Sequence, residues 1–134
     1  MSTSVVVTGC GSGIGRAIFE RLIVDGWAVV GLERDENLAR DAAGAGAGSD
    51  RVDVVVGDAS ERSDLSRAAA RALELGPLGG WVNNAAVALR GTLHDPVEAE
   101  VDAVIRLNLM GCYWGASEAI RRFIDQRSPG AIVN

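Results

Sequence analysis

Three β-branched residues, Val5-Val6-Val7, run into Thr8-Gly9-Cys10-Gly11-Ser12-Gly13-Ile14-Gly15, and Arg16-Ala17-Ile18-Phe19 come next. A continuous apolar run suits a parallel strand buried on both faces. Glycine reaches positive φ without penalty, so the main chain can turn sharply behind that strand. The spacing predicts strand, tight turn and helix, with the helix starting near Gly13. Its unpaired N–H groups and its dipole favour an anion above the turn, and a phosphate is the usual one. A Walker-type loop needs Gly-Lys-Ser/Thr, but Ile14-Gly15-Arg16 succeed Gly13. The dinucleotide pattern Gly-x-Gly-x-x-Gly needs glycine at Ile14. The pattern that fits is Thr-Gly-x-x-x-Gly-x-Gly, with Thr8, Gly9, Gly13 and Gly15 fixed, and with Ser12 and Ile14 among the candidate anion-binding residues. The alternative is a glycine-rich turn that holds no ligand.

Further polar residues recur at the ends of apolar runs. Ala28-Val29-Val30-Gly31-Leu32 closes on Glu33-Arg34-Asp35, about 20 residues after the glycine turn, where a dinucleotide fold carries the acid that accepts from the adenosine ribose. A Glu33 carboxylate would hold the 2′-hydroxyl and repel a 2′-phosphate, which favours NAD over NADP. The neighbouring Arg34 guanidinium suits a 2′-phosphate instead. A solvated charge cluster is the plainer reading. Val52–Val56 is a third strand, and Asp58 just past it is placed to meet an adenine edge or to start the helix Glu61 to Leu75. Gly79-Gly80-Trp81-Val82 forms a fourth strand and runs into Asn83-Asn84-Ala85-Ala86, whose amides need partners at the mouth of a buried strand. His94 sits in a loop, Val87 to Asp95, and reads as a surface residue.

Helices must carry these strand ends. The first, Gly13 to Val24, presents Ile14, Ala17, Ile18, Leu22 and Phe19 to a sheet. Glu36 to Ala43 is short, and Gly44 to Ser49 reads as a flexible surface loop. A long helix runs to about Gln126, with Asp95 as its cap and Pro96 in its first turn. It bears two apolar series. Val97, Val101, Val104, Ile105, Cys112, Ala116, Ala119 and Phe123 form one, and Leu107, Met110 and Trp114 form the other. Two such faces imply two neighbours, one the sheet and the other a helix or a second subunit, so a homo-oligomer through helix 97–126 is expected. Asn108 interrupts the first series.

The chain has 134 residues, 48% of them hydrophobic and 23% charged, which bounds it to one globular domain rather than a disordered tail. A net charge of -5 and a pI near 4.8 argue against sequence-independent nucleic-acid binding. No apolar run reaches membrane-spanning length, and Met1-Ser2-Thr3-Ser4 lacks the plan of a signal peptide, so a cytoplasmic place is the default. Cys10 and Cys112 suggest neither a disulfide framework nor a metal cluster. All 13 basic residues are arginine.

The glycine motif resembles the first motif of the short-chain dehydrogenase/reductase family. Asn83-Asn84-Ala85-Ala86 resembles that family's Asn-Asn-Ala-Gly, with Ala86 where glycine is typical, and Asn108-Leu109-Met110-Gly111 resembles its catalytic asparagine motif. With Glu33 and Asp58 in order, the resemblance covers nearly the whole chain. It implies a Rossmann-like α/β fold, a doubly wound parallel sheet of order 3-2-1-4-5 with helices on both faces, truncated after the fifth strand at Gly130 to Asn134. It also implies cofactor contacts from Asp58, Ala59, Asn84, Ala85 and Ala86, and a water held by Asn108 in a proton relay. The reaction implied is hydride transfer between NAD and a small alcohol or ketone.

Family members continue to a serine and Tyr-x-x-x-Lys. The single tyrosine, Tyr113, reads as helix packing, and no lysine is present. The 134 residues are therefore expected to be the cofactor-binding half of a longer single-domain enzyme, inactive alone, with substrate specificity in the other half. A non-catalytic nucleotide-binding or interaction module is the rival reading. A methyltransferase would share the glycine turn but explains neither Asn83-Asn84-Ala85 nor Asn108.

Overall fold

The computed structural model describes residues 3–134, so Met1 and Ser2 of the expected leaderless start lie outside the described residues. Five parallel strands form one sheet: β1 (Ser4–Thr8), β2 (Ala28–Glu33), β3 (Val52–Val56), β4 (Leu78–Val82) and β5 (Ala131–Val133). Their spatial order is β3-β2-β1-β4-β5, which is the order that the family resemblance implies. Every residue of β1 is buried. Side chains alternate across a strand, so Val5 and Val7 enter one core while Val6 enters the other.

Helix α1 (Gly13–Val24) and helix α2 (Glu36–Gly44) cover the Val5 face. Phe19 is the centre of that contact, fully buried and contributing about 1.5–3 kcal/mol by removal from water. The expected apolar stripe of α1 is narrower than its sequence implies. Ile14 is 74% exposed and Ala17 is exposed, because the helix is rotated to bring Gly15 and Phe19 inward. Asp35 caps α2 by accepting from the Asn37 and Leu38 N–H groups at 2.8 and 3.0 Å. Gly44 to Ser49, expected to be a loop, instead winds through successive turns, with Gly46 buried against Val52.

Helix α3 (Arg62–Leu75) covers the other face with Leu65, Ala68, Ala69 and Ala72, all buried. The expected long helix beside it is three segments: α4 (Glu98–Val104), a π-helical stretch (Ile105–Gly111) and α5 (Cys112–Gln126). Its N-cap is Val97, one residue past Pro96, and not Asp95. The first apolar series does not form one core stripe. Val97, Val101 and Ile105 are exposed, while Ala119 and Phe123 join Leu107 and Trp114 against the core. An extra residue in the π stretch rotates α5 relative to α4, and close approach is made by Gly111 and Gly115, residues with no hydropathic signal. Tyr113, read from the sequence as helix packing, is exposed on α5 and stands nearly perpendicular to the Trp114 ring, with ring centroids 4.9 Å apart. Gln126 fastens the far end of α5 by bonding both the N–H and the carbonyl of Leu78, at 2.8 and 3.1 Å.

Candidate functional site

The carboxyl ends of β1 to β4 open on one cleft of about 290 Å³. It lies where the strand order reverses between β1 and β4, the place where open α/β sheets bind ligands. The glycine turn contributes Gly9 and Ser12, β2 contributes Leu32, Glu33 and Arg34, and the segment after β3 contributes Gly57, Asp58 and Ala59. From beyond β4 come Asn84, Ala85, Ala86 and Val87, and Leu107 reaches in from the π stretch.

Thr8 does not line the cleft but braces it. Its hydroxyl donates to the Val82 carbonyl at 3.3 Å and accepts from the Asn84 and Ala85 N–H groups at 3.0 and 3.1 Å. The Asn84 amide nitrogen donates to the Thr8 and Gly9 carbonyls at 3.0 and 3.2 Å, tying the fourth strand end to the glycine turn. Gly9 takes φ +68°, a left-handed conformation that favours glycine. Gly15 is packed so tightly that a Cβ there would overlap the Gly9 carbonyl oxygen and the Asn84 amide. The turn, α1 and β4 are thus one joined unit. Above it α1 begins without a side-chain cap at Ser12, and a Cβ at Gly13 would meet nothing within 4 Å. The first helical N–H groups thus receive no side-chain cap from Ser12, and the helix start has room beside it, which suits an anion site.

Glu33 accepts from the Gly11 N–H at 2.9 Å through one carboxylate oxygen and from the Asp35 N–H at 3.1 Å through the other. Arg34 beside it forms no ion pair among the described residues. Asp58 accepts from the Ser60 N–H at 2.8 Å, and its own N–H is held at 2.8 Å by Asp64. Burial of Asp64 works to raise its pKa, but hydrogen bonds from the Arg67 guanidinium and the Asp58 N–H outweigh it and hold the carboxyl below its usual value. Beneath the turn, burial and then the Glu33 charge push the Cys10 thiol up to about 12, so it is a neutral core group and not a nucleophile.

The two asparagines divide the work. Asn83 turns inward, accepting from the Trp81 indole N–H at 2.7 Å and donating to the Cys112 carbonyl and the Asn134 side chain at 3.2 and 2.8 Å. Asn108 stands outside the cleft. Its Oδ1 accepts from the Val87 N–H at 2.9 Å and its Nδ2 donates to the Val87 carbonyl at 2.8 Å, so both amide atoms hold one cleft residue in place.

Of the residues singled out in the sequence, Gly9, Ser12, Glu33, Arg34, Asp58, Ala59, Asn84, Ala85 and Ala86 meet around the cleft. Thr8, Gly13, Ile14, Gly15 and Asn108 lie behind or beside it. Ile14 points its side chain into solvent, and His94 is exposed on its loop. Leu32, Gly57, Val87 and Leu107 also line the cleft, and the sequence reading missed them. Leu107 carried a signal as a member of the second apolar series; Val87 carried none.

The sequence model of the family described as short chain dehydrogenase matches residues 3–134. The chain belongs to the short-chain dehydrogenase family. Its oxidoreductase relatives include a 2-(S)-hydroxypropyl-CoM dehydrogenase from Xanthobacter autotrophicus, 32% identical, aligned over 97% of this chain and 51% of the relative. An L-2,3-butanediol dehydrogenase from Corynebacterium glutamicum is 32% identical over 100% of this chain and 54% of its own length. A solved short-chain dehydrogenase from Streptomyces avermitilis superposes with a TM-score of 0.84 at 27% identity, covering 99% of this chain and 48% of that one. The chain thus spans about half the length of the relatives it matches. Family members bind NAD(H) or NADP(H), and the residues at the cleft fit such a group: a helix start with no side-chain cap, an anchored acid at the second strand end and a polar third strand end. Among the described residues no helix is long and apolar enough to cross a membrane, and no group of His, Cys, Asp or Glu is arranged to hold a metal ion.

Proposed function

We propose that residues 1–134 are the dinucleotide-binding domain of an NAD-dependent short-chain dehydrogenase, the N-terminal half of a single-domain cytoplasmic enzyme that interconverts a small alcohol and a ketone. The observation that carries this reading is the anchored Glu33 carboxylate at the cleft beside the open first turn of α1. Ser12, Gly13, Ile14 and Gly15 would hold a pyrophosphate with main-chain N–H groups and the helix dipole. Glu33, with further lone pairs on both oxygens, would accept from the ribose diol. Asp58 and the Ala59 main chain would meet the adenine, and Asn84, Ala85 and Ala86 would form the wall on which the rest of the dinucleotide lies. When bound, that group supplies the carbon that takes or gives hydride.

The protein's own part is to bind, orient and exclude water. Asn108 supports the site by fixing Val87, and the resemblance gives Asn108 itself a share in holding a water in a proton relay. The sequence holds no Tyr-x-x-x-Lys, so this reading assigns the 134 residues the binding half of the reaction and expects no turnover from them alone. The outward apolar face of α5 supports a homo-oligomer through residues 97–126.

Cofactor choice tests the reading. Glu33→Ala is expected to weaken NADH binding about tenfold, the worth of hydrogen bonds to a charged acceptor, and not to weaken NADPH binding, since the same change removes the charge that opposes a 2′-phosphate. Fluorescence titration of both nucleotides reads this. Equal losses would remove Glu33 from the ribose, and a gain in NADPH binding well beyond the NADH loss would put Arg34 on a 2′-phosphate.

A further inference from the structure

Gly11 stands inside the motif at a place the Thr-Gly-x-x-x-Gly-x-Gly pattern leaves variable. Its backbone gives no reason for glycine, since the positive-φ glycines are Gly9, Gly13, Gly26 and Gly48. Space gives the reason. A Cβ on Gly11 would lie 2.6 Å from the Leu38 Cβ, 2.7 Å from the Glu33 Oε2 and 2.9 Å from the Glu33 Cδ. These neighbours differ in how they can yield. The Leu38 Cβ is fixed to the first turn of α2, whose N–H is capped by Asp35 at 3.0 Å. The Glu33 carboxylate is the end of a flexible side chain, and the bond that it would lose is the 2.9 Å one from the Gly11 N–H.

We propose that Gly11 is a specificity-determining positioning residue: its missing side chain is what lets a glutamate at position 33 seat its carboxylate on the glycine turn. The inference rests on the reading of Glu33 as the ribose acceptor. Two main-chain donors, from Gly11 and Asp35, take one lone pair on each carboxylate oxygen and fix the group's plane. The remaining lone pairs are then set for a diol, and the fixed negative charge is set against a phosphate. A methyl at position 11 expels the carboxylate from the turn, releases both constraints and leaves the neighbouring Arg34 guanidinium lining that part of the cleft. An aspartate is one methylene, about 1.5 Å, shorter, and removes the two overlaps with the carboxylate, while the Leu38 overlap remains to be met by a shift of α2 in either protein. Gly11 with Glu33, and alanine with aspartate, are therefore the matched pairs.

The test compares NADH and NADPH dissociation constants, by fluorescence titration of the full chain, for the unaltered protein, Glu33→Ala, Gly11→Ala and the double variant Gly11→Ala with Glu33→Asp. Gly11→Ala is expected to lose the preference for NADH down to within about threefold of the Glu33→Ala value, and the double variant to regain about half of it on a logarithmic scale. A merely structural role for Gly11 predicts no such rescue, since the Leu38 contact is the same in both Gly11→Ala proteins. Gly11→Ala with the unaltered preference overturns the proposal, as does a double variant no more selective than Gly11→Ala. Should Gly11→Ala fail to fold, the double variant decides alone: preference for NADH supports the proposal and indifference overturns it. Glu33→Ala with the unaltered preference overturns the ribose reading itself, which keeps that failure distinct from failure of the Gly11 contact.

Discussion

Side chains behind the cleft do as much as those lining it, and Thr8 makes the case. Its one hydroxyl serves three main-chain groups: it donates to the Val82 carbonyl and accepts from the Asn84 and Ala85 N–H groups. Thr8 itself is 2% exposed, so water cannot replace what it supplies. Thr8→Val keeps the volume and the branching but leaves two N–H groups with no acceptor. The expected loss is about 2 kcal/mol or more, since an unsatisfied buried donor costs about 1–3 kcal/mol. Urea unfolding measures it, and Thr8→Ser should recover most of it by restoring the hydroxyl. A Thr8→Val protein as stable as the unaltered one would mean that the segment after β4 finds other acceptors.

At the scale of elements, contact between α5 and the sheet depends on absent side chains. A Cβ at Gly115 would overlap the Asn83 Oδ1 and lie 2.8 Å from the Trp81 indole nitrogen, which are joined in a buried hydrogen bond. Replacing glycine by alanine inside an exposed helix stabilises by about 1 kcal/mol. Gly115→Ala is expected to do the reverse and cost about 1–3 kcal/mol, because α5 must move off β4 or break the Asn83 bonds. A thermal melt that rises instead of falling would refute the close approach. This contact also shows why the sequence was legible in one place and not another. Strands such as Val52–Val56 and the helix Gly13–Val24 were readable because runs of β-branched residues and glycine punctuation announce them. The face of the long helix was not. Apolar periodicity selects bulky residues, whereas the contact here is made by Gly111, Gly115 and Ala119, and the π stretch shifts the phase between Val104 and Cys112. In the cleft, the charged and amide residues could be found from their places at strand ends. Val87 could not, since it lines the cleft through a clamp from Asn108, 21 positions away in the chain.

For the molecule as a whole, the two faces of the π stretch and α5 make different demands. Toward the sheet, Leu107, Trp114, Ala119 and Phe123 complete the core begun by Val6, Leu65 and Trp81. Away from it, Leu109, Tyr113, Ile120 and Ile124 are 59, 61, 49 and 69% exposed. These four recur at helical spacing, and Tyr113, Ile120 and Ile124 line one groove with the smaller Ala116 and Ser117 and with Arg121 and Asp125 beside them, a cluster rather than scattered surface residues. A second copy meeting the same cluster across a two-fold axis would bury it against itself, the commonest way in which soluble chains associate. Light scattering coupled to size exclusion is therefore expected to give a dimer or larger closed oligomer for the full chain. Ile120→Glu with Ile124→Glu should shift it toward the monomer while leaving NADH binding within about twofold, because neither residue approaches the cleft. A monomer before substitution would assign the cluster to some other partner. Loss of NADH binding together with the oligomer would mean that the cleft is held open by the neighbouring copy and not by this chain alone.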